Sequence, residues 1–114
     1  MLAFRILMVV LFVAITGYTM VTIVNYGWNL VPIFFGDMAA MAWPGQFNFD
    51  FMCFLILSAL WVSWRHHFSS LGLMLGAIAS VGGMLFLSAY LFIVAGQANG
   101  NVRELLLGKV RAAE

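Results

Sequence analysis

Charged residues divide this chain into stretches that a lipid bilayer accommodates and water does not. No charge falls among the 31 residues between Arg5 and Asp37, or among the 37 between Arg65 and Arg103. A helix needs about 20 mainly apolar residues to cross a hydrocarbon core at about 1.5 Å rise each, so each gap holds one crossing. The whole chain is 65% hydrophobic and 8% charged. Soluble domains run at roughly 45 to 50% apolar and about 25% charged, and a domain this small leaves much of its surface exposed. Lipid is therefore the expected solvent, for a single domain of 114 residues.

The first span is read over residues 6–24, ILMVVLFVAITGYTMVTIV, ending at a polar and aromatic break, Asn25 to Trp28, that suits the interface. It is read as a retained helix, since the run is long for a signal-peptide core and no A-x-A cleavage site follows. The second is read over 47–64, with Asn48 as its N-cap and Asp50 in its first turn, where the helix dipole favours a carboxylate. Trp61, Trp64, Arg65, His66 and His67 mark the opposite surface. The third is read over 71–95, which carries no charge, and the short linker before it implies an antiparallel hairpin with the second. Gly82 and Gly83 permit a bend within it.

Between the first two spans, residues 28–43 hold Pro32, Gly36 and Asp37, a poor spanning pattern, and are read as an interfacial helix. The polar tail 96–114 offers Asn101 as cap for a short amphipathic helix with Val102, Leu105 and Leu106 on one face. The expected fold is thus an all-α membrane protein with three transmembrane helices, a short interfacial helix between the first and second, and a short C-terminal amphipathic helix. Orientation is in conflict: an inside N-terminus puts Arg5 and Arg65 inside but Arg103, Lys109 and Arg111 outside, against the positive-inside rule. The loop from Asn25 to Asp50, with two aspartates and no basic residue, nevertheless favours the outside, and an inside N-terminus is adopted.

Little chemistry is visible. A net charge of +1 with five scattered basic residues excludes a nucleic-acid partner. The single Cys53 forms no internal disulfide and is read as lipid-facing or packed. Adjacent histidines point roughly 100° apart on a helix and do not share one ion as an i, i+4 pair does, so His66 and His67 are read as an interfacial helix end. No catalytic, cofactor-binding or metal-binding residue is expected. Asp37 and Asp50 are the acids available as a ligand or proton site, against a plain reading as solvated aspartates. Gly72, Gly76, Ala79 and Gly83 form a small-residue stripe that lets helices approach closely, in the same chain or a neighbour.

The runs GWNLVPIFF, FNFDFMCFLILSALWVSWR and LFLSAYLFI together resemble small bacterial inner-membrane proteins of families with three helices and no assigned function. The likeness covers residues 17–93, with Asn29, Leu30 and Asp50 at the recurring positions, and the chain departs from it after Gln97. The resemblance implies a multi-pass protein of the bacterial inner membrane and no particular activity. Two function classes follow. The first is a structural or accessory subunit packing through the third helix, in a homo-oligomer or a larger membrane complex. The second is a small dimeric transporter of a cation or small hydrophobic molecule using Asp37 or Asp50, which resembles the small multidrug exporters in length but has no glutamate in its first span. A membrane enzyme or pigment-binding protein rests only on the 16% aromatic content, which interface anchoring explains.

Overall fold

The long uncharged runs fold as helices because a backbone in lipid must satisfy its own hydrogen bonds. A computed structural model describes all 114 residues. It is all-helical: α1 (Leu2–Tyr26), α2 (Leu30–Ala39), α3 (Trp43–Arg65), α4 (Ser70–Ala98), α5 (Val102–Leu107) and α6 (Lys109–Ala112). By length and composition α1, α3 and α4 are each able to cross a membrane, and α2 is the short helix between the first and second. These three apolar helices mark a multi-pass membrane protein.

α3 begins earlier than the sequence implies. Pro44 sits in its opening turn, where a missing N–H costs nothing, and Ala42 precedes it with extended backbone. Asn48 is accordingly not the cap: it lies in the second turn, and its side-chain amide donates to the Phe34 carbonyl of α2 at 3.1 Å. Asp50 likewise lies beyond the first turn. α2 returns along this end of α3, so close at Gly45 that a Cβ there would overlap the Asp37 carbonyl.

α3 and α4 meet through small residues. Ser69 caps α4, its hydroxyl accepting from the Gly72 N–H at 3.1 Å. A Cβ at Gly72 would stand 2.7 Å from the His66 Cβ and 3.0 Å from the Ser63 carbonyl, and one at Gly76 would overlap the Ser63 hydroxyl. Gly72, Gly76 and Ala79 are all buried. The Ser63 hydroxyl donates to the Gly72 carbonyl at 3.2 Å, which ties the two helices at their closest approach.

The bend that Gly82 and Gly83 permit in the third span falls at Gly83. Gly83 adopts φ 56° and ψ −140°, a non-helical conformation that glycine tolerates and other residues do not. The contacts show how far the chain turns there. Gly72 and Tyr90, 18 positions apart, both meet His66. A straight helix would separate them by about 27 Å. The route through one imidazole, one hydrogen bond and one tyrosine side chain reaches at most about 17 Å. The arms 70–82 and 84–98 therefore fold back on each other by more than a right angle. The first arm runs antiparallel to α3 as far as Phe51, whose ring would stand 2.9 Å from a Cβ at Gly83. The second returns beside α3 towards His66. At about 20 and 22 Å, neither arm alone matches a hydrocarbon core of about 30 Å. Irregular backbone at that depth is tolerated because Phe51 and Leu55 cover it.

α1 packs on the second arm. Arg5 donates from Nε to the Phe92 carbonyl at 3.2 Å, with its guanidinium 4.1 Å from the centre of the Phe92 ring. Gly96 leaves room for it, since a Cβ there would stand 3.0 Å from the guanidinium. Met8 is the one fully buried residue of α1, Leu11, Ile15, Thr16, Thr19 and Ile23 continue the same face half-buried, and the opposite face is open.

Candidate functional site

The densest polar constellation lies where α3 ends, the second arm of α4 returns and the tail folds over both. The core here comprises Val62, Tyr90, Val94, Ala95, Ala98 and Leu105. Asn101 caps α5, accepting from the Glu104 N–H at 3.1 Å, which starts the tail helix where its sequence implies. Leu105 is then buried, and the carbonyls at the end of this short helix face α3. Arg65, only 9% exposed, takes them: Nε donates to the Leu105 carbonyl at 2.8 Å and Nη2 to that of Glu104 at 3.3 Å. Its Nη1 donates to the Tyr90 hydroxyl at 3.2 Å. No carboxylate pairs with it. Backbone carbonyls at a helix end carry partial negative charge, so they and the hydroxyl stand in for the counter-ion.

Tyr90 extends the chain of hydrogen bonds. Its oxygen accepts from Arg65 and lies 2.7 Å from His66 Nε2. The network is complete when His66 is neutral with its proton on Nδ1, so that the tyrosine O–H donates to Nε2. Burial holds the His66 pKa below its ordinary value, and the charges of Arg65 and His67 push the same way. Aromatic packing supports the group. The Tyr90 ring meets Trp61 edge-on at 6.0 Å and stacks on Phe86 at 5.6 Å. The Trp61 indole donates to the Leu106 carbonyl at 3.0 Å. Arg111 closes the tail over α3, its guanidinium 4.0 Å above the Trp64 ring and donating to the Trp64 carbonyl.

Two concavities flank the tail helix. An apolar groove of about 890 Å³ runs between α3 and the second arm from Gly83 to Leu106, with Met1 and Phe4 of α1 on its rim. On the other side, a polar cavity of about 470 Å³ is lined by Arg65, His66, His67, Gln97, Glu104 and Lys109.

Asp37 and Asp50 lie elsewhere. Asp50 is exposed, about 22 Å along α3 from Arg65, on a depression of about 650 Å³ shared with Met38, Gln46 and Cys53. Asp37 is half-buried on α2 and does not line that depression. Neither carboxylate takes a hydrogen bond or a cation from the chain. Cys53 is exposed beside Asp50. His67 is exposed with φ 59° in the turn after α3, so of the two histidines only His66 joins the network.

Sequence reading missed Arg65 and Tyr90 as partners. The signal available was an arginine at a helix end with no nearby acid, which has to find its acceptors on backbone. Compared with known families, with curated proteins and with solved structures, the chain matches none.

Proposed function

We propose that this chain is an accessory subunit of a larger membrane assembly in the bacterial inner membrane, docking through α1. The observation that supports it is the open outer face of that helix: 25 residues long, with Met8 alone fully buried and Val10, Val13 and Val24 on the side away from its half-buried stripe. The Gly72–Ala79 stripe, the surface first expected to receive a partner, is filled by α3 of the same chain. Partner contact therefore moves to α1, where Val10, Val13 and Val24 stand exposed. Association of helices in lipid relies on close van der Waals packing, which a smooth valine-rich face provides.

Extraction of the tagged chain in native nanodiscs, followed by native mass spectrometry, tests this. A species of fixed stoichiometry is expected, and Val10→Trp with Val13→Trp should dissociate it while leaving helix content unchanged. A monomer in the untouched chain, or an assembly indifferent to both tryptophans, would reject docking through α1.

A further inference from the structure

The break at Gly83 sorts the charges. Because the second arm returns to the end of α3, the tail with Arg103, Lys109 and Arg111 lies at the same end as Arg65. Arg5 lies there too, through Phe92 and Gly96. All five basic residues of the chain thus gather at one end of the bundle. Asp37 and Asp50 belong to the α2 end, which carries no basic residue. The conflict over orientation came from treating α4 as one crossing; with α4 folded back, both termini share a side and the positive-inside rule holds.

Three of the five cations are committed to structure. Arg5, Arg65 and Arg111 are held by backbone carbonyls and aromatic rings. Lys109 is exposed and hydrogen-bonded to nothing, on the rim of the polar cavity beside His66, His67 and Gln97. Glu104 is the single acid on that rim. Arg103 is exposed on the same tail, outside the cavity lining, and donates from Nε to the Ala112 carbonyl, its other donors unengaged by the chain. Trp61 and Trp64, which belong at the headgroup level, lie at this same end of α3, Trp64 beneath the Arg111 guanidinium.

We propose that this polar cavity and its basic rim bind the phosphate of an anionic phospholipid in the leaflet that the tail faces. Lys109 supplies the charge on the rim, Arg103 adds to it from the neighbouring surface of the tail, and Gln97 and His67 supply donors to the phosphodiester. The apolar groove across α5, lined by Trp61, Leu105 and Leu106, is open to acyl chains at the same depth. This reading is independent of any protein partner.

The test uses the full chain in vesicles of phosphatidylglycerol and phosphatidylcholine, taken into mild detergent, with retained lipids counted by native mass spectrometry. Preferential retention of phosphatidylglycerol is expected. Lys109→Gln should weaken it about fivefold, the worth of one basic residue near an anionic surface, and the double variant with Arg103→Gln about twenty-fivefold. Glu104→Gln should strengthen it, and Asp50→Asn, at the far end, should leave it unchanged. Amide exchange of Leu105 monitors whether the tail stays docked in each variant. Equal retention of both lipids, or retention unmoved in the double variant, would overturn the proposal. So would full displacement by excess inorganic phosphate, which identifies a free anion as the ligand. A sidedness assay adds a second arm. In a Cys53→Ser background, single cysteines at Ala3 and Ala113 should label from one side of sealed vesicles and one at Asn29 from the other. Termini labelled from opposite sides would overturn it as well.

Discussion

Replacing Gly83 with alanine tests the fold-back most directly. Two costs combine. A residue with a Cβ held at φ 56° and ψ −140° sits in a sparsely populated region, at about 1 to 3 kcal/mol. Its Cβ would also stand 2.9 Å from the Phe51 ring, tighter than normal contact; the ring end is able to give, so this adds about 1 kcal/mol. Together the folded-back form should lose about 2 to 4 kcal/mol relative to a continuous helix, in which alanine is favoured over glycine by a further ~1 kcal/mol. A change of about 3 kcal/mol shifts the equilibrium more than a hundredfold, since about 1.4 kcal/mol is tenfold. Spin labels at Ser70 and Gln97, in a Cys53→Ser background, read the outcome. A straight α4 would place them about 40 Å apart, and the folded-back form well under half that. Gly83→Ala should broaden or lengthen this distance. Gly36→Ala serves as the control, since that helical position is open within 4 Å, and it should leave the distance unchanged. A short, sharp distance in Gly83→Ala would refute the claim that glycine is what permits the reversal.

Arg65→Met removes the donors that hold the tail, and hydrogen bonds from a charged group are worth about 1.5 to 3 kcal/mol each. Amide exchange across Val102–Leu107 should rise by at least tenfold while α1 is unaffected; unchanged protection would mean that Leu105 burial alone docks the tail. Acidification should have a related effect. His66 is held below its ordinary pKa by burial, so the undocked state binds the proton more readily; docking is complete above about pH 6.5 and weakens as pH falls below that value. Trp61 fluorescence followed from pH 8 to 5 should report this, and His66→Gln should abolish the dependence. Thr16 carries the one buried side-chain hydroxyl without a partner, so Thr16→Val should be neutral or stabilise the bundle by up to about 1 kcal/mol in reversible detergent unfolding. A clear loss of stability would point to a bond that Thr16 makes in lipid.

The three long apolar helices, the short helix between the first two and the Asn101 cap were all legible, because charge gaps and cap residues are local signals. The path of α4 was not. Gly82 and Gly83 announce that a bend is allowed, but its size depends on Phe51, Tyr90 and His66 meeting across distances that hydropathy does not encode. The start of α3 was misplaced for a related reason. Asn48 has the chemistry of a cap, yet Pro44 opens a helix earlier and leaves the asparagine free to bind the Phe34 carbonyl. The aspartates drew notice as charges near apolar runs, whereas the residue most deeply engaged, Arg65, looked like an ordinary helix-end cation. Its backbone acceptors lie 39 and 40 positions further on, and the Tyr90 hydroxyl 25.

The seam between Arg5 and Phe92 joins residues 87 positions apart, and this bears on how the chain is made. α1 leaves the ribosome well before the arm it packs against. At about 5 to 20 residues per second, the bilayer holds α1 without that arm for several seconds. During that interval its valine-rich surface is open to any neighbouring helix.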